Sequence, residues 1–399
     1  MTSTPRIAPS DLERWAEILL DHSLGGIDES DRVMIKGERA CWPLIEVLER
    51  RVIEAGAVPD VLLVPPNNER GKVFSSAMAR HGDARQLASA APWVQARYEW
   101  MTKYIEVLGA EDPSRYSDLD DVQSQAITSA DRPYATIRLR KPWVLTLFPT
   151  AGFAAMEGLA LDAYSDFLVR ASTADPNALR AAEEKLAPFV DAAQRMTIET
   201  YCPQQKRDLS LTLSLAESVA VMSFGLRNLP DGEVFTSPDA NSVDGEIYID
   251  LPVNYGGVDI EGIFLRFEGG RITRYSAERG GDKLRTIIET DAGSHRLGEV
   301  AFGMNPSLER VLKHPLLVEK VGGTLHIAIG QSYDVGFERE PAGDEAKARI
   351  QALAERGVFN RSAQHVDIVC DFRPGGCGRR VLLDDVEIRS HEGIWVAPQ

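Results

Sequence analysis

Near residue 205 the hydrophobic pattern of this 399-residue chain changes period, and that change limits the folds open to it more than any single motif. Upstream, helical and strand signals alternate. Ser10 followed three residues later by Glu13 reads as a capping box, with Leu12, Trp15 and Leu19 at helical spacing behind it. A strand is expected over 32–36, a helix over 42–55, an apolar strand over 61–64 and another over 143–148, just before Pro149. Residues 163–200 read as helix-rich, with Asp162 or Ser165, then Asp175 or Asn177, as the caps. Strands alternating with helices at this spacing make parallel α/β units. Downstream, Gly and Pro become denser and short alternating segments take over at 246–251, 260–267 and 381–388. The fold class expected is therefore α/β, with an N-terminal α/β domain over 1–200 and a C-terminal α+β domain, rich in short strands, over 201–399. No Ser/Gly-rich linker marks the boundary, which falls between 155 and 210.

Composition removes several function classes. Asp and Glu number 60 against 44 Lys and Arg, a net charge of −16, and no basic run offers a grip on phosphate backbones. Nucleic acid is not an expected partner. Cys41, Cys202, Cys370 and Cys377 are scattered without a CxxC, which suits a reduced, cytoplasmic setting. Residues 1–20 carry Arg6, Asp11, Glu13 and Arg14 among their apolar positions, so no secretory signal is read there. The longest apolar runs, such as 144–148, fall far short of the roughly 18 to 20 residues that span a bilayer, so no membrane association is expected. GxxxxGK[ST], GxGxxG after a strand, and GxSxG are all missing. Gly375, Gly376 and Gly378 read as a turn into a strand at 381–383, and His391-Glu392 as a solvated loop.

The chemistry collects in the last 170 residues. On a strand, residues two apart share a face, so His365 and Asp367 project together while Val366 and Ile368 pack the other way. Such a pair either binds a divalent metal or makes an Asp–His hydrogen bond on a sheet surface. In 324–330, His326 and Ala328 share one face, with Leu325, Ile327 and Ile329 on the other. His326 is a core histidine or a ligand, and Tyr333, in the turn after Gly330, can face the same cavity. Glu233 and Glu299 each follow a glycine and precede an apolar segment that ends in proline. Taken singly, each reads as a surface or ion-paired residue rather than a ligand; if buried, its carboxylate needs a cation, either an Arg or a metal.

Four ordered blocks carry a resemblance: Leu229-Pro-Asp-Gly-Glu233-Val-Phe-Thr-Ser-Pro238, Leu297-Gly-Glu299-Val-Ala-Phe-Gly-Met-Asn-Pro306, His326-Ile-Ala-Ile-Gly-Gln-Ser-Tyr333 and Ser362-Ala-Gln-His365-Val-Asp367. With them the C-terminal half resembles the aminopeptidase T family of metalloaminopeptidases, and a weaker likeness at 163–167 extends it upstream. The resemblance implies that Glu233, Glu299, His326, His365 and Asp367 hold a pair of divalent ions (Zn, Co, Mn or Mg) in the C-terminal domain. It implies that Tyr333 is the active-site tyrosine and that Glu299 is bridging ligand, general base or both. Two ions about 3.5 to 4 Å apart suit a donor set of three carboxylates and two imidazoles. The resemblance further implies a homodimer whose internal cavity admits short peptides, and hydrolysis of the N-terminal peptide bond by an activated water. Many members approach the first histidine through an Asp-Glu-Asn sequence. This chain has Glu319-Lys320-Val321-Gly322-Gly323-Thr324 instead, the mark of a different branch. The alternative on the same scaffold resembles 2,5-dihydroxypyridine 5,6-dioxygenase, with His326, His365 and Asp367 holding one Fe(II). A third reading is a non-catalytic dimer that binds ligands in its cavity.

Overall fold

A computed structural model describes residues 5–64, 73–74, 76–89, 91–112, 121–341 and 343–398. Residues 1–4 of the N-terminal segment read above lie outside these. The chain forms two compact units, one of residues 1–176 with 225–230, the other of 177–224 with 231–399.

The first unit is built on a wholly parallel five-stranded sheet in the order Val58–Val64, Arg32–Glu38, Lys103–Leu108, Trp143–Leu147, Asn228–Leu229. Parallel neighbours need crossovers, and the helices Trp42–Glu54 and Asp121–Leu139 supply them. In the first of these Leu44, Ile45, Leu48 and Val52 are buried, one apolar stripe turned to the sheet. The opening helix, Pro9–Glu17, is anchored by Trp15, whose indole N–H donates to Thr146 Oγ1 at 3.0 Å; that hydroxyl donates in turn to the Leu229 carbonyl at 2.8 Å. The capping box expected at Ser10 is not made. Pro9, with its φ fixed in the helical range, starts the helix one residue earlier, so Ser10 falls inside the first turn and Ala8 takes the cap position.

The second unit holds an eight-stranded antiparallel sheet in the order Arg271–Ser276, Ile263–Glu268, Asp244–Ile249, Arg207–Ser214, Arg195–Cys202, Gly378–Leu383, Val386–His391, Ile394–Val396. A five-stranded antiparallel sheet runs His365–Asp371, Thr324–Gly330, Leu297–Gly303, Glu233–Thr236, Val221–Ser223. The two share one apolar core. Met196, Ile198, Leu211 and Val381 of the larger sheet pack in it with Val300, Leu325, Ile327, Ile329, Val366 and Ile368 of the smaller.

The architecture is α/β followed by a strand-rich α+β region, as the change of period implies. Four local readings are corrected. The helix-rich stretch ends in the Pro176–Ala192 helix, and 195–200 is strand: Met196, Ile198 and Cys202 alternate inward and put period-two packing in place of helix. The helix before it, Leu161–Thr173, is preceded by Ala160, with Asp162 in its first turn and Ser165 buried in its interior. The segment 381–388 is a hairpin that reverses at Asp384, whose φ of 50° ends one strand before Val386 begins the next. His391 is the last residue of that second strand, and the turn begins at Glu392.

Candidate metal centre

The smaller sheet turns its second face toward the site. In the register Glu299 pairs with Ala328 and Ala328 with Asp367, so the three lie in one row across adjacent strands. The single methyl of Ala328 leaves the space between the two carboxylates open. His326 stands two residues before Ala328 on the same face, and His365 two before Asp367. Glu233 opens the next strand, paired with Gly303, which has no side chain to obstruct it. A register shift between Leu297 and Glu299 re-aims the glutamate.

The glycines before each glutamate are required by close packing. A Cβ on Gly298 would sit 2.2 Å from the Gln331 carbonyl oxygen. Gly232 has φ of 138°, and a Cβ there would meet Asn305 Cβ at 2.7 Å.

All five residues named from the sequence converge. One oxygen or ring nitrogen from each of Glu233, Glu299 and His326 lies within 4.8 Å of the others, and the same holds for Glu299, His365 and Asp367. Glu299 belongs to both groups and uses different atoms: Oε1 is 3.1 Å from His326 Nε2, and Oε2 is 3.8 Å from His365 Nε2. Glu233 Oε2 lies 3.7 Å from His326 Nε2, and Asp367 Oδ1 lies 3.3 Å from His365 Nε2. Both imidazoles are oriented from behind. His326 Nδ1 faces the Glu319 carbonyl at 3.2 Å and His365 Nδ1 the Gln331 carbonyl at 2.7 Å, so each Nδ1 keeps its proton and each Nε2 points into the carboxylates. Tyr333 packs its ring against His365, 4.5 Å between centroids, and remains 43% exposed.

The chain's own charges reveal how anionic this cluster is. Burial opposes a charge on His326, but the hydrogen bond to Glu299 and the charges of Asp367 and Glu233 outweigh it and push the imidazole up to about 9. His365 is likewise pushed up to about 10 against its burial, chiefly by Asp367. Asp367, although half-buried, is held well below the usual carboxylate range by His365. Burial raises Glu299. Although the residue as a whole is 43% exposed, desolvation at its place in the cluster and the charge of Glu299 raise the Tyr333 phenol well above its ordinary value, so it stays a hydrogen-bond donor.

Sequence reasoning passed over three residues that complete the cluster. Glu319 follows the short Pro315–Val318 helix; burial pushes its carboxyl up to about 8, and the charge of Asp367 adds to the rise. Lys320, fully buried, places Nζ 2.7 Å from Glu319 Oε1, 2.9 Å from Glu233 Oε1 and 3.4 Å from Asp231 Oδ1. The signal was present in the Glu-Lys step itself, which breaks an otherwise apolar and glycine-rich approach to His326.

A family model described as thermophilic metalloprotease (M29) matches residues 9–374. The chain belongs to the M29 family. Aminopeptidase AmpS of Bacillus subtilis is 38% identical over 147 residues, 36% of this chain and 34% of its own length. Aminopeptidase T of Thermus thermophilus is 39% identical over 142 residues, 35% of this chain and 33% of its own length. The aligned stretch thus spans about a third of each of these relatives. Aminopeptidase 2 of Geobacillus stearothermophilus is 28% identical over 286 residues, 66% of this chain and 67% of its own. Two solved structures share the fold. Wild-type AmpT from Thermus thermophilus matches with a TM-score of 0.73 at 22% identity, covering 97% of this chain and 99% of its own. A 2,5-dihydroxypyridine dioxygenase from Pseudomonas putida matches with a TM-score of 0.56 at 15% identity, covering 99% of each chain.

A metalloprotease family implies a divalent ion, and this donor set fits one. Glu233 Oε2 and Asp367 Oδ1 are buried without a well-formed hydrogen bond, and both belong to the groups just described. A buried, unsatisfied carboxylate oxygen is costly, and a cation relieves that cost. Among the described residues no helix is long and apolar enough to cross a membrane.

Proposed function

We propose that the protein is a metal-dependent aminopeptidase that hydrolyses the N-terminal peptide bond of short peptides at a centre of two divalent ions. The observation that carries this reading is the membership of Glu299 in both donor groups, with Oε1 toward His326 and Oε2 toward His365. One carboxylate facing two donor groups with separate oxygens suits a bridging ligand. The reading assigns Glu233, Glu299 and His326 to one ion and Glu299, His365 and Asp367 to the other, drawn from Zn, Co, Mn or Mg. When bound, such ions acidify a shared water and polarise the scissile carbonyl.

The chain's residues do the rest. The two backbone carbonyls behind the imidazoles keep each Nε2 aimed at the centre. A carboxylate takes the proton of the attacking water and returns it to the leaving amine: Glu319 beside Asp367 where Glu299 bridges the ions, Glu299 itself where it does not. The Tyr333 phenol, neutral and held against His365, donates to the oxyanion of the tetrahedral intermediate. The acid-rich surroundings favour a cationic α-amine at the peptide's end. The same reading carries the expectations of a homodimer and a cytoplasmic location.

The test strips the protein with a chelator, restores Zn, Co, Mn or Mg, and assays amino-acid release from a dipeptide panel and from Leu-p-nitroanilide. Restored turnover, lost in Glu299→Gln, is the expected result. One iron per chain, oxygen-dependent ring opening of a dihydroxypyridine and no amino-acid release would transfer the fold to the dioxygenase reading, with His326, His365 and Asp367 as the iron ligands. Sedimentation velocity tests the dimer.

A further inference from the structure

The geometry points to Lys320 as a built-in third cation of this centre, a positioning residue that fixes which oxygen of Glu233 an ion can reach. This rests on the two-ion aminopeptidase reading above.

The ammonium is fully buried and has three carboxylate neighbours: Glu319 at 2.7 Å, Glu233 at 2.9 Å and Asp231 at 3.4 Å. Glu233 divides its oxygens. Oε1 accepts from Lys320, while Oε2 has no well-formed hydrogen bond and faces His326. With Lys320 in place Glu233 therefore offers a single oxygen to an ion, at a fixed angle.

Removing the ammonium leaves Glu233 Oε1 and Glu319 Oε1 buried without their cation, and a buried carboxylate left without its partner is costly. The ammonium is shared among three acids, one of which also faces the candidate ion site, as a bound monovalent cation would be.

The inference is tested by vacating the ammonium's position. Lys320→Ala opens a space lined by three carboxylates, whereas Lys320→Met fills it with an apolar chain of similar length. Both are compared with wild type at one ionic strength in tetramethylammonium, potassium or ammonium chloride. In the ion-loaded enzyme, Lys320→Ala is expected to lose at least tenfold in kcat in tetramethylammonium, with KM within about twofold, and to recover saturably in potassium or ammonium. Wild type is indifferent to the choice, and Lys320→Met recovers in none. In the ion-free protein, the Tm of Lys320→Ala rises with potassium or ammonium and not with tetramethylammonium, and the wild-type Tm does not. The inference is overturned if Lys320→Met matches wild type in kcat and Mn²⁺ affinity. It is equally overturned if Lys320→Ala is impaired alike in all three salts by both measurements, or if both variants are unfolded in every salt, because the lysine then only holds the fold. Wild-type protein that binds no divalent ion and cleaves no dipeptide fails the aminopeptidase reading instead; the salt dependence of Tm, which needs no divalent ion, still judges Lys320.

Discussion

Replacing Glu183 by Gln should stabilise the ion-free protein, by an amount that grows with pH. Glu183 lies in the Pro176–Ala192 helix with no exposed surface. Burial, then the charges of Asp231 and Glu233, push its carboxyl up to about 10; Lys320 pulls the other way and loses. At neutral pH the native protein therefore keeps a proton that the unfolded chain, whose glutamate titrates near 4.5, has released. Where the unfolded state binds fewer protons than the native state, stability falls as pH rises. Neutral pH lies about 2.5 units above the unfolded value, and at about 1.4 kcal/mol per unit the penalty is on the order of 3 kcal/mol. Gln has the shape of the protonated acid and no proton to lose, so the variant escapes the penalty. Urea denaturation with chelator present, at about pH 5, 7 and 8.5, measures it. The two proteins should nearly coincide at the lowest pH and separate progressively above it. A gap independent of pH, or a variant less stable than wild type at neutral pH, would mean that Glu183 is ionised and paired in the native state, and the argument from burial would fail.

Tyr333→Phe keeps the ring against His365 and removes only the hydroxyl; kcat should fall by about 10²- to 10³-fold with KM little changed, and unaltered turnover would leave the phenol without a role. Asp31, although burial opposes its charge, is held below its ordinary value by Lys103 at 2.8 Å and Thr102 at 2.8 Å. Its stabilisation is present above the unfolded value near 3.8 and lost as pH falls through the depressed folded one. Asp31→Asn should therefore cost about 1–3 kcal/mol at neutral pH, and in acid titrations the deficit should shrink. Gly298→Ala puts a Cβ against two backbone carbonyls, Gln331 at 2.2 Å and Gly330 at 2.5 Å; it should cost at least about 2 kcal/mol and weaken divalent-ion binding through the displaced Glu299. Gly281→Ala, with nothing within 4 Å, is the control and should leave both calorimetric Tm and ion titration close to wild type.

What could be read from the sequence, and what could not, follows from how each residue's surroundings are assembled. His326, His365 and Asp367 were legible because regular strands fix a side chain's direction by parity: once Leu325, Ile327, Ile329, Val366 and Ile368 are committed to the core, the intervening residues must face the other way. Glu233 and Glu299 were marked by glycines whose need for close packing is local, although the atoms that enforce it, on Asn305 and Gln331, are far along the chain. The 195–200 strand was hidden by a helical pattern running into it, and Pro9 displaced a cap that Ser10 and Glu13 would otherwise have made. Neither strand parity nor a preceding glycine marked Glu319, Lys320 or Glu183. The first two sit in irregular backbone after a single helical turn, where no period assigns a direction. Glu183 lies on an amphipathic helix, where a glutamate ordinarily faces solvent. Their importance arises only when Asp231 and Glu233 are brought beside them, and it is a sum of charges rather than a pattern. Strand parity and the resemblance thus pointed to the side chains that converge, whereas the charged groups packed around them, Lys320 among them, depend on folding to bring them together.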